Sequence, residues 1–150
     1  MTKTVFRHEA RQFKALAHPK RLEILSLLHR HQLTASDIQQ MTGFAQANLS
    51  QHLALLKSAQ IIVAVRHGQH IRYRLSHQNF WRASQLLAAT QVVRMAKKHE
   101  SSATQVQDPV CQMWIEPAAA RWQTIYKGAT FFFCASGCHR RFVKSPAMYA

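Results

Sequence analysis

The chain has 150 residues, of which 47% are hydrophobic, and a formal net charge of +14 with its histidines neutral. This length suits one ordinary domain or two small ones, and the apolar content excludes a disordered chain. The first residues lack the apolar core of a signal peptide, and no run approaches the ~18 apolar residues of a membrane span. The sequence therefore predicts a cytoplasmic protein with no membrane partner.

The positive charge is concentrated in the first hundred residues. They hold 15 Lys and Arg residues against four Asp and Glu, a net +11, whereas the last fifty hold five against two, a net +3. Such an excess favours a polyanionic partner, either nucleic acid or an anionic membrane surface. A nucleic-acid contact is therefore to be sought in the first part of the chain.

Three helices are predicted before residue 44. Residues 4–17 form the first, and Pro19 suits the first turn of the second. The second helix has a buried stripe at three-to-four spacing, formed by Leu22, Ile24, Leu25 and Leu28. Thr34 with Asp37 resembles a capping box, which opens a short third helix that ends at Gly43.

A fourth helix is predicted from about Ala45 to Lys57, and its N-cap, an alanine, is a poor one. Its apolar positions share one face, and short polar side chains face outward. The second helix of a helix-turn-helix pair needs such an outward face to contact base edges in the major groove. The candidate base-contacting residues are Gln46, Asn48, Ser50, Gln51 and His52, and Lys57 could reach a phosphate.

A β-hairpin is predicted next, with strands at residues 61–65 and 70–75 and a turn supplied by Gly68. Alternation places Arg72 and Arg74 on one side of the second strand. These two arginines and Arg66 suit DNA phosphates or the minor groove, and Arg30 could add a phosphate contact. Two helices joined by a turn and followed by a hairpin make a winged helix-turn-helix.

A long helix is predicted from about Gln78 to His99, with a polar linker at residues 100–107 and a small module at 108–150. The predicted organisation is a DNA-binding and dimerisation domain at residues 1–99, the linker, and the small domain. The predicted fold class is mainly α with a β-hairpin wing, followed by a small α+β module that contains the cysteines.

All three cysteines lie in that module, as Cys111, Cys134 and Cys138. In a reducing cytoplasm, three thiols favour metal or redox chemistry over a structural disulfide. The four-residue step from Cys134 to Cys138 puts two thiolates on one face where a strand turns into a helix. A loop at Cys111 can bring the third thiolate alongside, and a nearby helix N-terminus would lower the pKa of Cys134.

Three stretches of the first domain carry a family likeness. They are Ala-Leu-Ala-His-Pro-Lys-Arg-Leu-Glu-Ile-Leu-Ser-Leu-Leu at 15–28, Asn-Leu-Ser-Gln-His-Leu-Ala-Leu-Leu-Lys at 48–57 and Ile-Arg-Tyr-Arg-Leu at 71–75. Together they closely resemble the ArsR/SmtB family of bacterial repressors, over about residues 8–98. The resemblance implies a homodimer built from the first and last helices, bound to an inverted repeat of double-stranded operator DNA, with repression that an inducer relieves.

The chain departs from that family at both usual metal sites. Many members carry Cys-Val-Cys before the recognition helix, where this chain has Leu-Thr-Ala-Ser-Asp-Ile at 33–38. Others use Asp and His ligands on the last helix, which here offers Arg82, Arg94, Lys97 and Lys98, with His99 at its end. Cysteine-pair sensing inside the winged helix is excluded for the same reason, so any thiol sensing must come from the tail.

The tail has its own likeness, carried by Asp-Pro-Val-Cys at 108–111, Tyr-Lys-Gly at 126–128 and Phe-Phe-Phe-Cys-Ala-Ser-Gly-Cys-His-Arg-Arg-Phe at 131–142. It resembles the YHS domain and the related TRASH metal-binding pattern, with Gln112 where the family often has Gly. The resemblance implies metal ligation by Cys111, Cys134 and Cys138. Three thiolates favour soft ions, with Cu(I) or Zn(II) the leading candidates.

Zinc would need a fourth ligand. His139 is adjacent to Cys138 and is expected to point away, so Met113, water or a partner chain are the other options. A module of about forty residues is near the limit at which an apolar core alone suffices, so a metal could also be purely structural.

The main hypothesis is therefore a homodimeric, metal-responsive transcriptional repressor. The alternatives are a DNA-binding regulator whose tail holds structural zinc or docks a partner, and a redox sensor that uses Cys134 and Cys138. An enzyme is not predicted, because the chain has no Gly-rich phosphate loop and only six carboxylate side chains.

Overall fold

The computed structural model of the protein describes residues 2–92 and 105–150. These residues divide into two compact units, one formed by residues 2–39 with 44–92 and the other by residues 40–43 with 105–150. The predicted end of the long helix at His99 and most of the predicted linker, residues 100–104, lie outside the described residues.

The helices of the first unit follow the predicted order. They are α1 (Thr2–Leu16), α2 (Pro19–Leu28), α3 (Ala35–Thr42), α4 (Gln46–Ser58) and α5 (Asn79–Val92). His18 caps α2, because its ring Nδ1 accepts the backbone N–H of Lys20 at 3.2 Å, and Pro19 occupies the first turn as expected. The winged helix-turn-helix architecture predicted from the sequence is confirmed.

The capping box at the start of α3 is present. The Thr34 hydroxyl accepts the backbone N–H of Asp37 at 3.1 Å, and the Asp37 carboxylate accepts the backbone N–H of Thr34 at 2.8 Å. Leu33 and Thr34 also form a short strand, β1, which the sequence did not predict because two residues show no periodicity. β1 pairs antiparallel with the second hairpin strand and so fixes the start of α3 against the wing.

The wing consists of β2 (Ile62–His67) and β3 (His70–Leu75), and the sheet order is β1-β3-β2. His67 pairs with His70, so the connecting turn is only Gly68-Gln69, and Gly68 adopts the positive φ of 59° that such a turn needs. The core of the unit lies between the helices and this sheet, and its fully buried members include Ile24, Leu25, Leu56 and Ile61.

In the described residues 105–150, the second unit contains four short strands, one α-helix and two short 3-10 helices, Pro117–Ala119 and Pro146–Met148. The strands are β4 (Val106–Gln107), β5 (Trp114–Ile115), β6 (Trp122–Tyr126) and β7 (Ala129–Phe133), and the helix is α6 (Ser136–Lys144). β4 pairs with β5 and β6 pairs with β7, both antiparallel. Val106 and Gln107 belong to β4, although the sequence assigned them to the linker.

An aromatic cluster forms the core of the second unit. Phe133 and Phe142 are fully buried with ring centroids 5.1 Å apart, and Phe131 lies 4.8 Å from Phe142. Cys138 is fully buried in the same cluster, and Cys111 and Cys134 pack against it. The thiols therefore sit at the edge of the apolar core rather than on a separate surface loop.

Candidate functional site

The three cysteine side chains converge in the second unit. Cys111 follows the β4 strand, Cys134 follows the last residue of β7, and Cys138 lies in the first turns of α6. The Sγ atom of Cys111 is 3.4 Å from that of Cys134, which in turn is 3.7 Å from that of Cys138. The predicted strand-to-helix step is present, and the third thiol reaches it from 23 residues away.

The cluster also contains a carboxylate, which the sequence analysis did not assign to it. The ligand atoms of Asp108, Cys111, Cys134 and Cys138 all lie within 4.8 Å of one another. Over the described ranges, 2–92 and 105–150, this is the one group of three or more Cys, His, Asp or Glu side chains with metal-ligand spacing. The Asp-Pro-Val-Cys sequence was a usable signal, since Asp before Pro commonly bonds to its own following backbone.

Asp108 organises the two loops that carry the thiols. It is fully buried, and its Oδ1 accepts the backbone N–H of Val110 at 2.9 Å and that of Cys111 at 3.4 Å. Its Oδ2 accepts the backbone N–H of Cys134 at 2.8 Å. One side chain therefore ties the Cys111 loop to the end of β7, and burial raises its pKa above the usual range for an aspartate.

Hydrogen bonds among the thiols shift their pKa values in opposite directions. The Cys134 and Cys138 side chains lower the pKa of Cys111 to about 3. Donation to Cys111 raises the pKa of Cys134 and of Cys138, and burial adds to both increases. The expectation that the pKa of Cys134 is lowered is therefore wrong, because the hydrogen bond with the Cys111 side chain, the largest influence on it, raises the pKa.

The residues present fit a metal ion. A tetrahedral site with Zn–S bonds of ~2.3 Å needs sulfur atoms about 3.8 Å apart, and the two measured separations are 3.4 and 3.7 Å. Cys111 and Cys134 are half-buried, and Cys138 is buried. The cluster could hold a thiophilic ion through three sulfurs, with the Asp108 carboxylate beside them.

His139 is turned away from the thiols, as the sequence analysis expected. Its Nε2 lies 3.0 Å from the Thr124 hydroxyl on β6, and its ring packs against Phe133 at a centroid distance of 5.3 Å. Its role in this unit is therefore to connect α6 to the β6–β7 hairpin. Met113 contributes its backbone, which accepts the N–H of Asp108 at 2.9 Å.

The candidate DNA-contacting residues of the first unit are mostly exposed. Five belong to α4, the last of them near its C-terminal end, and three are on the wing; they are Gln46, Asn48, Ser50, Gln51, Lys57, Arg66, Arg72 and Arg74. Ala45 provides no side-chain cap to α4, as predicted. The Arg66 Nε donates to the Gly68 carbonyl at 3.2 Å, so this arginine is folded over the turn.

His52 differs from the other candidates. The sequence analysis placed it on the outward face of α4, but it is half-buried between the rings of His18 at 4.7 Å and Phe44 at 6.4 Å. Its Nδ1 is buried without a hydrogen-bond partner. Burial lowers the pKa of His52, and the nearby cationic groups of the α2 segment lower it further. Position 52 lies between Leu49 and Leu56 on the helix, which explains its partly inward direction.

Comparisons with known proteins place the two units in recognised families. Residues 18–63 match the profile of bacterial regulatory proteins of the arsR family, and residues 106–150 match that of the YHS domain. The chain is 41% identical over 64 residues to the transcriptional repressor SdpR of Bacillus subtilis, a match that covers 43% of this chain and 71% of SdpR.

The chain belongs to the ArsR family. It is also 35% identical over 65 residues to the arsenical resistance operon repressor of Staphylococcus xylosus, covering 43% of this chain and 62% of that relative. Among solved structures, the homodimeric winged helix-turn-helix DNA-binding domain of a possible ArsR-family regulator from Mycobacterium bovis matches with a TM-score of 0.57. It is 28% identical and covers 67% of this chain and 93% of that one.

Two features distinguish this ArsR-family chain. Its β1–α3 segment carries the Thr34–Asp37 capping box and no thiol, and all three of its thiols lie in the Cys111–Cys134–Cys138 cluster of the YHS domain. As an ArsR-family member, it is a transcriptional regulator rather than an enzyme. No helix in the described part of the chain has the length and apolar character to cross a bilayer.

Proposed function

We propose that the protein is a homodimeric repressor that binds operator DNA through its winged helix and responds to a metal ion at Cys111, Cys134 and Cys138. The single observation that carries the proposal is the convergence of these three sulfurs, whose two closest separations, 3.4 and 3.7 Å, are near the ~3.8 Å that ligands of one tetrahedral ion require. The arsenical resistance operon repressor, a relative by its winged helix, gives a precedent in name for a response to a thiophilic element.

The DNA contact rests on the exposed polar and basic side chains of α4 and the wing. Gln46, Asn48 and Gln51 can pair with adenine edges in the major groove, Ser50 can serve several bases, and His52 stays a candidate from its half-buried position. Lys57 and the wing arginines 66, 72 and 74 would contact phosphates or the minor groove. A double-stranded DNA partner also accounts for the net charge of +14, and it implies a cytoplasmic site of action.

Dimerisation rests on an apolar face of the first helix. Phe6 and Phe13 lie seven residues apart on one face of α1, and they are 65% and 63% exposed. Leu86 on α5 is 72% exposed. A second copy of the chain would cover such a face, and the Mycobacterium bovis neighbour is homodimeric.

The metal we propose is Cu(I) or Zn(II), since three thiolates favour soft or borderline ions. The proposed division of labour assigns residues 1–99 to DNA binding and dimerisation, 100–105 to the linker, and 106–150, which include β4, to the metal. When bound, the ion would displace the remaining thiol protons and fix the Cys111 loop to the start of α6. For regulation, it must also bind the two DNA-affinity states unequally, and we expect release from DNA.

The proposal is tested by fluorescence anisotropy with DNA from upstream of the protein's own gene, at fixed salt. Reduced metal-free protein is compared with Cu(I)-loaded and Zn(II)-loaded protein. We expect the metal to weaken DNA binding at least tenfold, which corresponds to about 1.4 kcal/mol of coupling. Cys134→Ser should abolish the change, whereas Ser136→Ala, a neighbouring substitution that removes no thiol, should retain it.

Equal DNA affinity with and without tightly bound metal would contradict the sensing role. The tail would then hold a structural zinc, which the small apolar core of the second unit also favours, or dock a protein partner. A redox sensor is the remaining alternative, favoured by the 3.4 Å contact between the sulfur atoms of Cys111 and Cys134. Hydrogen peroxide would then change DNA binding by the metal-free protein, and Cys134→Ser would prevent that change.

A further inference from the structure

We propose a second binding site in the first unit, a basic cleft between the α2–β1 loop and the wing that takes a phosphate-type oxyanion. The cleft has a volume of about 480 Å³ and is lined by Arg30, His31, Gln32, Leu33, His67, His70 and Arg72. It contains no cysteine, so it is chemically separate from the thiol cluster.

The hairpin register brings the wing side of the cleft together. His70 and Arg72 are two residues apart on β3, so they point to the same face of the sheet. His67 is the cross-strand partner of His70 and shares that face. Three nitrogen-bearing side chains therefore converge on one side of the wing.

The α2–β1 loop supplies the other wall and holds one of the cations in place. The Arg72 Nη1 donates to the Gln32 carbonyl at 3.3 Å, which fixes the guanidinium at the mouth of the cleft. A guanidinium has five donors, so the bond to Gln32 leaves capacity for an oxyanion. Because one arginine is already oriented, less side-chain entropy is lost when the ligand binds.

The residues that line the cleft favour a ligand with negative charge. Two arginines carry permanent positive charge, three histidines offer ring donors, and the seven lining residues include no carboxylate. Fixed positive charges at close range disfavour a metal cation and favour an anion with several acceptor oxygens. Phosphate matches this set, since arginine forks pair with two of its oxygens at once.

Two sources can supply the same chemistry. One is a backbone phosphate of DNA, and this arm rests on the proposed DNA-binding function. The other is a free phosphate or phosphorylated small molecule. A cleft of this volume is large enough for either.

The first experiment needs no DNA. The reduced, ¹⁵N-labelled full-length protein is titrated with sodium phosphate, against sodium chloride at matched ionic strength, and amide shifts are followed by NMR. We expect saturable shifts at residues 30–33 and 67–72 with phosphate alone. Arg30→Gln and Arg72→Gln should remove saturation, whereas Lys144→Gln, which loses the same charge at an exposed position on α6, should not.

The second experiment measures how DNA affinity depends on salt. Each phosphate contact contributes about 0.9 to the slope of log affinity against log salt. Arg30→Gln should reduce the slope by about one such increment, while Lys144→Gln leaves it unchanged. Arg30, which the sequence analysis gave as a possible phosphate contact, is the decisive variant because it lies on the α2–β1 loop, outside both α4 and the wing.

The outcomes separate the two sources and the two proposals. A reduced slope in Arg30→Gln assigns the cleft to DNA phosphates, and saturable phosphate shifts with an unchanged slope assign it to a free oxyanion. A wild-type protein that binds DNA normally, with neither effect, overturns the cleft and leaves the repressor proposal intact. If the wild type binds no DNA, the repressor proposal fails, and the phosphate titration still decides the cleft.

Discussion

Asp108 is a buried carboxylate whose two oxygens serve backbone amides from two separate loops. Oδ1 accepts from Val110 and Cys111, and Oδ2 accepts from Cys134. The first pair is local and can be anticipated from Asp-Pro-Val-Cys, whereas the third partner lies 26 residues away. No periodicity or spacing links positions that far apart, so the sequence could find the loop but not its link to β7.

Replacing Asp108 tests whether it holds the thiol loops together. Asp108→Ala leaves three amides without their acceptor, and a lost partner costs roughly 1–3 kcal/mol for each buried donor. We expect the second unit to lose about 3 kcal/mol of unfolding free energy, with a smaller loss in Asp108→Asn, which keeps one acceptor oxygen. Amide hydrogen exchange at β6 and β7 in the reduced, metal-free protein measures the loss.

A matched control is Glu9→Ala, which removes an exposed carboxylate from α1. It should leave exchange in β6 and β7 unchanged. Unaltered protection of those strands in Asp108→Ala would mean that the aromatic cluster around Phe142 alone fixes the fold of the second unit.

At the scale of helices, strands and turns, some structural features can be predicted from local sequence signals alone. The Lys127-Gly128 turn joins β6 to β7 with φ values of 48° and 80°, the two left-handed residues of a tight hairpin turn. The capping box at Thr34 and Asp37 was legible in the sequence, because its partners are three residues apart. The predicted stripe of α2 was right for Ile24, Leu25 and Leu28, but Leu22 is only partly buried and the buried Leu27 was missed. His52 was misassigned although its position between Leu49 and Leu56 was a usable signal; only its contact with the ring of His18, the N-cap of α2, needed the structure.

The recognition helix α4 has no side-chain N-cap, so a capping residue could stabilise its first turn. Ala45 is in the extended region, with φ −61° and ψ 138°, and makes no side-chain bond to the helix. Ala45→Ser would supply an acceptor to the free N–H groups of the first turn and stabilise the first unit by about 1 kcal/mol. We expect Tm to rise by roughly 4–8 °C, measured by calorimetry.

The control for the cap is Ala47→Ser, which places the same side chain inside the first turn at an exposed position. Serine there cannot cap the helix and should leave Tm unchanged or slightly lower. An equal rise of Tm in both variants would show that the gain comes from adding an exposed hydroxyl group and not from capping the helix.

At the scale of the whole molecule, an exposed apolar face on α1 calls for a second copy of the chain. A buried Phe side chain contributes roughly 1.5–3 kcal/mol, and a symmetric dimer loses two when Phe13 is replaced. We therefore expect Phe13→Ser to raise the dimer Kd by at least about a hundredfold. Light scattering after size exclusion should show a shift towards the 17.2 kDa monomer.

Arg11→Ser changes an exposed residue on the opposite face of α1 and should leave the dimer intact. A wild-type protein that stays monomeric at all micromolar concentrations would exclude the dimer altogether. Unchanged dimerisation in Phe13→Ser would place the interface elsewhere.

The sequence by itself determined the elements of the winged helix, the turns that join them, and the step from Cys134 to Cys138. These features depend on side chains within one turn of helix or one hairpin, where spacing is enough. The tertiary structure decided which distant atoms meet: Cys111 with Cys134, Asp108 with the end of β7, β1 with β3, and Arg72 with the α2–β1 loop. Such contacts arise only when the chain folds back and buries a shared core, so no local pattern encodes them.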